Sequence, residues 1–161
     1  MSTDISMVAR SHEENWLPIL ELAVEEVFEI MLGCRVKPVS KEEHATVGGC
    51  TAMVGLAGAL CGILTFSCDP KTAREVAKAM LGAEIADSEG QVSDALGEIC
   101  NMIAGNFKNK LSRTDGSCLL SVPTVIEGNH YTFHSLAEGR NLETVMLFAD
   151  APVSVALQLH R

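Results

Sequence analysis

Asp94, Glu98, Asn101, Gly105 and Lys108 recur at intervals of three and four residues within the stretch SDALGEICNMIAGNFK. At about 100° per residue they fall on one side of a helix, while Leu96, Ile99, Cys100, Ile103 and Phe107 gather on the other. Glu98 and Asn101, three positions apart, project side by side. A carboxylate and a carboxamide held this way enclose no pocket of their own. They suit insertion into the active site of another molecule. The ordinary alternative is a solvated polar stripe, which every surface helix carries. Two features speak against it. Asn in mid-helix competes for backbone hydrogen bonds. Gly97 and Gly105 each cost about 1 kcal/mol relative to alanine, and Gly105 leaves a flat spot where a partner's backbone can approach.

The elements that must position this stripe follow from hydrophobic periodicity. Trp16, Leu20, Ala23, Val24, Val27, Phe28 and Met31 predict a helix from Glu13 to Leu32, with Gly33 as its stop. Thr46–Val54 and Ala59–Cys68 read as strands with the GLAG at 55–58 as their turn. Asp69-Pro70 is an N-cap followed by proline at the first helical position, and that helix stops at Gly82. Ser93 is the expected N-cap of the striped helix, which runs through Leu111 and ends in the basic residues Lys108, Lys110 and Arg113. Four strands are expected after it, at Cys118–Val122, His130–Ser135, Leu142–Phe148 and Val153–Leu159. Short links between them imply an α+β fold, a mainly antiparallel sheet with packed helices, in a single domain over 1–161.

Composition bounds the rest. The chain has 161 residues, 47% hydrophobic but only 4% aromatic, so aliphatic residues must fill its core. With 21 acidic against 12 basic residues and a net charge of −9, it lacks the basic footprint for nucleic acid or an anionic membrane. The opening MSTDISMVARSHEENW shows no signal-peptide pattern, and no stretch reads as a membrane helix. The six cysteines form no CxxC pair, which fits a reduced, cytoplasmic protein. A zinc site from Cys50, Cys61, Cys68 and His44 is a minor alternative to buried thiols, and the expectation is no metal. The five histidines are scattered, and no serine or cysteine sits in a nucleophile context.

The striped helix resembles the signature helix of the CheC/CheX/FliY phosphatases, which remove phosphate from the chemotaxis response regulator CheY. Their motif is Asp or Ser, three residues, Glu, two residues, Asn, and a downstream proline; here these are Asp94, Glu98, Asn101 and Pro123. One complete motif rather than two places the resemblance nearest CheX. The resemblance implies a CheC/CheX-like fold and a substrate that is an aspartyl phosphate on a CheY-like response regulator. It also implies that Glu98 and Asn101 are catalytic, Asn101 orienting the attacking water and Glu98 pairing with a regulator lysine. Asp94, Gly105 and Lys108 would bind the partner, Pro123 would be structural, and Mg²⁺ would belong to the regulator, leaving the chain no cofactor of its own. The alternative from another class is a non-catalytic adaptor that binds a response regulator.

A homodimer is expected from the resemblance, and from the late apolar strands ETVMLFA and VSVALQL, which leave an edge to cover. An internal pseudo-repeat is also visible. A shift of about 72 residues lays LAVEEVFEIMLG on DALGEICNMIAG, matching Glu26 to Glu98 and Gly33 to Gly105. Chance similarity of two amphipathic helices is the alternative. Glu29 stands where the second helix has Asn101, so the first helix is expected to be catalytically silent.

Overall fold

Leu20, Ala23, Val24, Val27 and Phe28 close into the buried stripe of the first helix, α1 (Trp16–Leu32). The structure is a computed structural model describing residues 16–44, 48–82, 89–111, 117–136 and 138–160. The expected helix start at Glu13, the strand start at Thr46, Arg113 and the N-terminal leader reading lie outside these residues. Gly33 ends α1 at φ +64°, a left-handed conformation that costs glycine nothing. The chain continues through β1 (Pro38–Val39), β2 (Cys50–Gly58) and β3 (Gly62–Cys68) into α2 (Pro70–Leu81). Asp69 caps α2 by accepting the Thr72 N–H at 2.6 Å. Then come α3 (Glu89–Leu111), β4 (Cys118–Leu120), β5 (Thr124–Glu127), β6 (Asn141–Phe148) and β7 (Ala151–Leu159).

The seven strands form one antiparallel sheet in the order β1-β6-β7-β3-β2, with β4 and β5 sharing the outer edge of β2. The order is symmetric about the central β3–β7 pair. The β2–β3 and β6–β7 hairpins correspond, and each receives on its outer edge a short strand that follows the helix of the other half. That symmetry is the topological counterpart of the sequence echo. On one face, α1, α2 and α3 seal a core of Leu64, Phe66, Met146, Val155 and Leu157. The scarce aromatics sit at its joints: Phe28 meets Phe148 at 5.7 Å and Phe66 at 6.2 Å, and Trp16 meets Phe107 edge-on at 6.5 Å.

Four sequence expectations need correction. The GLAG at 55–58 is strand, and the turn follows it at 59–61. Ser121 crosses Gly55, accepting its N–H at 2.8 Å and donating its own N–H to the Gly55 carbonyl at 2.9 Å, and a methyl on Gly55 would lie a tight 3.3 Å from Ser121 Oγ. Residues 130–135 form no strand. The outer edge of β2 is already taken, and Tyr131 instead bonds Thr51 at 2.6 Å from outside the ladder. Ser93 is not an N-cap, since α3 begins four residues earlier at Glu89. Finally, VSVALQL is no edge: β7 is paired on both sides, by β3 and by β6. β5 is not among the expected strands; Pro123 is a pivot between β4 and β5 rather than the end of a single strand.

Candidate functional site

Leu96, Ile99, Cys100, Ile103 and Phe107 have no exposed surface, so α3 is anchored along its whole buried face. Burial pushes the Cys100 thiol up to about 12, and its Sγ lies 3.6 Å from both the Ala52 and Leu64 carbonyls. Such a thiol is core, not nucleophile. A second anchor joins α3 to α1. The Glu26 carboxylate meets Lys110 Nζ at 2.8 Å and accepts Asn106 Nδ2 at 2.9 Å. The bonds from Lys110 and then Asn106 hold the Glu26 carboxyl below its ordinary range.

The opposite side of α3 carries the stripe. Asp94 and Glu98 are exposed, and Asn101, Gly105 and Lys108 are half-buried. The stripe is about 21 Å long at 1.5 Å per residue. Neither Glu98 nor Asn101 has a side-chain hydrogen bond or ion pair among the described residues. A cavity of about 400 Å³ opens beyond Ser93, lined by Gly49, Cys50, Pro70, Arg74, Val92 and Glu127, and neither residue of the pair reaches it. Among the described residues no cluster of three or more His, Cys, Asp or Glu side chains is placed to hold a metal ion. Cys61 is exposed, whereas Cys50 and Cys68 are buried cross-strand neighbours. Among the described residues no helix is long and apolar enough to cross a membrane.

The two glycines of α3 have different reasons. A methyl group on Gly97 would lie 3.2 Å from Pro123 Cβ and 3.7 Å from Val125. Gly97 therefore admits the β4–β5 segment against the helix, and Ser93 adds a 2.7 Å hydrogen bond to Glu127 further along. A methyl on Gly105 would meet only Leu120 Cδ1 at 3.9 Å, an ordinary contact. The two substitutions should therefore differ in sign. Gly105→Ala should stabilise the fold by up to about 1 kcal/mol through helix propensity. Gly97→Ala should destabilise it by about 1–2 kcal/mol, since Pro123 is held and overpacking outweighs propensity. Urea unfolding of both variants checks this, and equal effects would show that Pro123 does not constrain Gly97.

The family model for the chemotaxis phosphatase CheX matches residues 50–145, which includes all of α3. The chain belongs to the CheX chemotaxis phosphatase family. Crystal structures of CheX share its fold throughout. CheX from Desulfovibrio desulfuricans is 26% identical with a TM-score of 0.79, covering 90% of this chain and 99% of its own. CheX from Vibrio vulnificus, 21% identical with a TM-score of 0.78, covers 91% and 97%. A third relative, from Borrelia burgdorferi, is a CheX–CheY complex with BeF3 and Mg²⁺; it is 22% identical, TM-score 0.74, covering 91% and 99%. No curated protein matches the chain significantly in sequence. Among the described residues, three helices on a seven-stranded antiparallel sheet are thus a CheX fold.

Proposed function

We propose that this CheX-family protein dephosphorylates the aspartyl phosphate of a CheY-like response regulator, with α3 as the surface that enters the regulator's active site. The observation that carries this reading is the placement of Glu98 and Asn101: adjacent, unpaired among the described residues, and on a helix whose opposite face is fixed in the core. Hydrolysis breaks the bond between phosphorus and the aspartyl oxygen while water attacks in line. Such a transition state depends on positioning and charge neutralisation more than on covalent catalysis. The Asn101 amide holds the water on that line. Glu98 pairs with a lysine of the regulator and sets the depth of insertion. Asp94, Gly105 and Lys108 extend the contact along the stripe. Mg²⁺ is the regulator's in this reading, and the Borrelia burgdorferi complex holds CheX, CheY, BeF3 and Mg²⁺ together. Phosphate release from a panel of phosphorylated regulators tests the reading. Tight binding without faster phosphate loss would replace it with the adaptor reading.

The first helix is silent in this account. Glu26 is spent on the clasp to Lys110 and Asn106, and Glu29 lies near Arg35 at 3.7 Å. Glu26→Ala with Glu29→Ala should keep dephosphorylation within a few-fold of the parent. It should cost about 1 kcal/mol of stability or less, as the clasp is partly solvated. Because the folded-state pKa of Glu26 is lowered, the clasp stabilises above the ordinary glutamate range. Its contribution disappears as pH falls through the lowered value. Parent and double variant should thus converge in acid, and a large activity loss in a folded double variant would move the active surface to α1.

We infer further that the chain works as one CheX-like domain and as a homodimer. What supports the dimer is the edge of β6, which β1 covers only opposite Val145 and Met146. Light scattering should give twice the chain mass at working concentrations; a monomer removes the claim.

A further inference from the structure

Val122 is 85% exposed, yet both its neighbours are fixed. Ser121 is tied to Gly55 by its N–H and its Oγ. Pro123 sits over Gly97. The chain around it runs along α3 in the opposite sense: Leu120 faces Gly105, Pro123 faces Gly97, and Glu127 bonds Ser93. From Gly105 to Gly97 the helix advances about 12 Å, and from Leu120 to Pro123 an extended chain covers about 10 Å. The two tracks are matched in length, so residues 121 and 122 lie beside the turn of α3 that carries Glu98 and Asn101. On the helix wheel Asn101 is about 40° from Gly97, the position that meets Pro123. The half-burial of Asn101 is consistent with that wall.

Exposed apolar side chains elsewhere, such as Ile30 and Leu136 at 77% and 94%, need no function. Val122 differs in being clamped on both sides and next to the reactive pair. We infer that Val122 is a specificity-determining contact for the phosphorylated response regulator, a fixed apolar crest that seats against an apolar patch on the rim of the regulator's phosphorylation site. The inference rests on the proposed phosphatase reading. A partner that admits Asn101 to its phosphoryl group must bring its rim over this crest. A valine offers that rim no hydrogen bond or charge, only β-branched apolar surface. It therefore favours regulators with an apolar residue there and penalises those with a polar one.

Val122→Thr keeps the shape and removes apolar surface, and Val122→Asp adds a charge. The position is solvent-facing, and thermal unfolding of both variants is expected to match the parent. With phosphorylated regulator as substrate, KM should rise roughly fivefold for V122T and at least about tenfold for V122D. In both variants kcat at saturation should stay within about twofold, because the water-orienting amide is untouched. Leu136→Asp should change neither constant. Binding to the regulator loaded with beryllofluoride and Mg²⁺ separates this inference from the reading beneath it. Where the parent binds but does not accelerate phosphate loss, weaker binding by both variants still supports the contact. Where the parent turns over and both variants keep its KM, the contact is wrong and the phosphatase reading stands. A parent that neither binds nor turns over any regulator overturns both. A change in oligomeric mass with unchanged regulator affinity would reassign Val122 to self-association.

Discussion

Asn101→Ala is expected to slow dephosphorylation by about a hundredfold or more while leaving the fold and most regulator binding in place. The size follows from the kind of step. Orienting a nucleophile converts a chance encounter into a prepared one, and a misplacement of about 1 Å already costs on the order of a hundredfold. Asn101 belongs to no hydrogen-bond network among the described residues, so its truncation leaves no buried group unpaired. Asn101→Asp is the sharper control. It keeps the shape but sets a carboxylate beside a phosphoryl group and an acidic pocket, where like charges repel. It should be as inactive as the alanine variant. A rate near the parent for Asn101→Ala would remove the centre of the mechanism, and a faster Asn101→Asp would recast the residue as a general base.

Glu98→Ala should lower kcat/KM by about tenfold to a hundredfold, with KM rising along with any fall in kcat. The carboxylate acts in docking before it acts in the reaction, so its loss is felt in both constants. Pairing with a lysine also carries a salt signature. The parent should bind its regulator more weakly as ionic strength rises, while Glu98→Ala should show a flatter dependence. Stopped-flow measurements across a salt series read both. Unchanged complex formation by Glu98→Ala at every salt concentration would take the docking role away from this residue.

What could be read from the residues alone was whatever depends on local period or local chemistry. The buried arc of α3 was legible because Leu96, Ile99, Cys100, Ile103 and Phe107 repeat with the helical turn. The start of α2 was legible because Asp69 and Pro70 carry their own capping chemistry. The Glu98–Asn101 pair stood out by spacing, and its proposed roles came from resemblance. Apart from the start of α3, the misses share one cause, contacts between distant parts of the chain. Gly55 and Gly58 look like turn residues until Ser121 and Ser117 are seen pressing on them. Residues 130–135 have strand-like composition, but the strand they would have joined had already found partners. Gly97 looked like a bare cost to the helix, whereas it is the seat of Pro123. Val122 carried no signal at all, since its place beside α3 depends on two anchors outside its own segment.

The central position of β7 has a consequence for how the protein is made. β7 leaves the ribosome after the other six described strands, yet it is the one that joins the two hairpins, pairing β3 on one side and β6 on the other. Until it emerges, β3 has an open edge and β6 has only β1 to pair with. Neither half can close its own sheet, because each lends its short strand to the other. Contacts this distant along the chain are slow to form, and the nascent protein exposes hydrophobic strand edges throughout the wait. Loss of β7 would therefore split the sheet at its middle rather than trim it at an end.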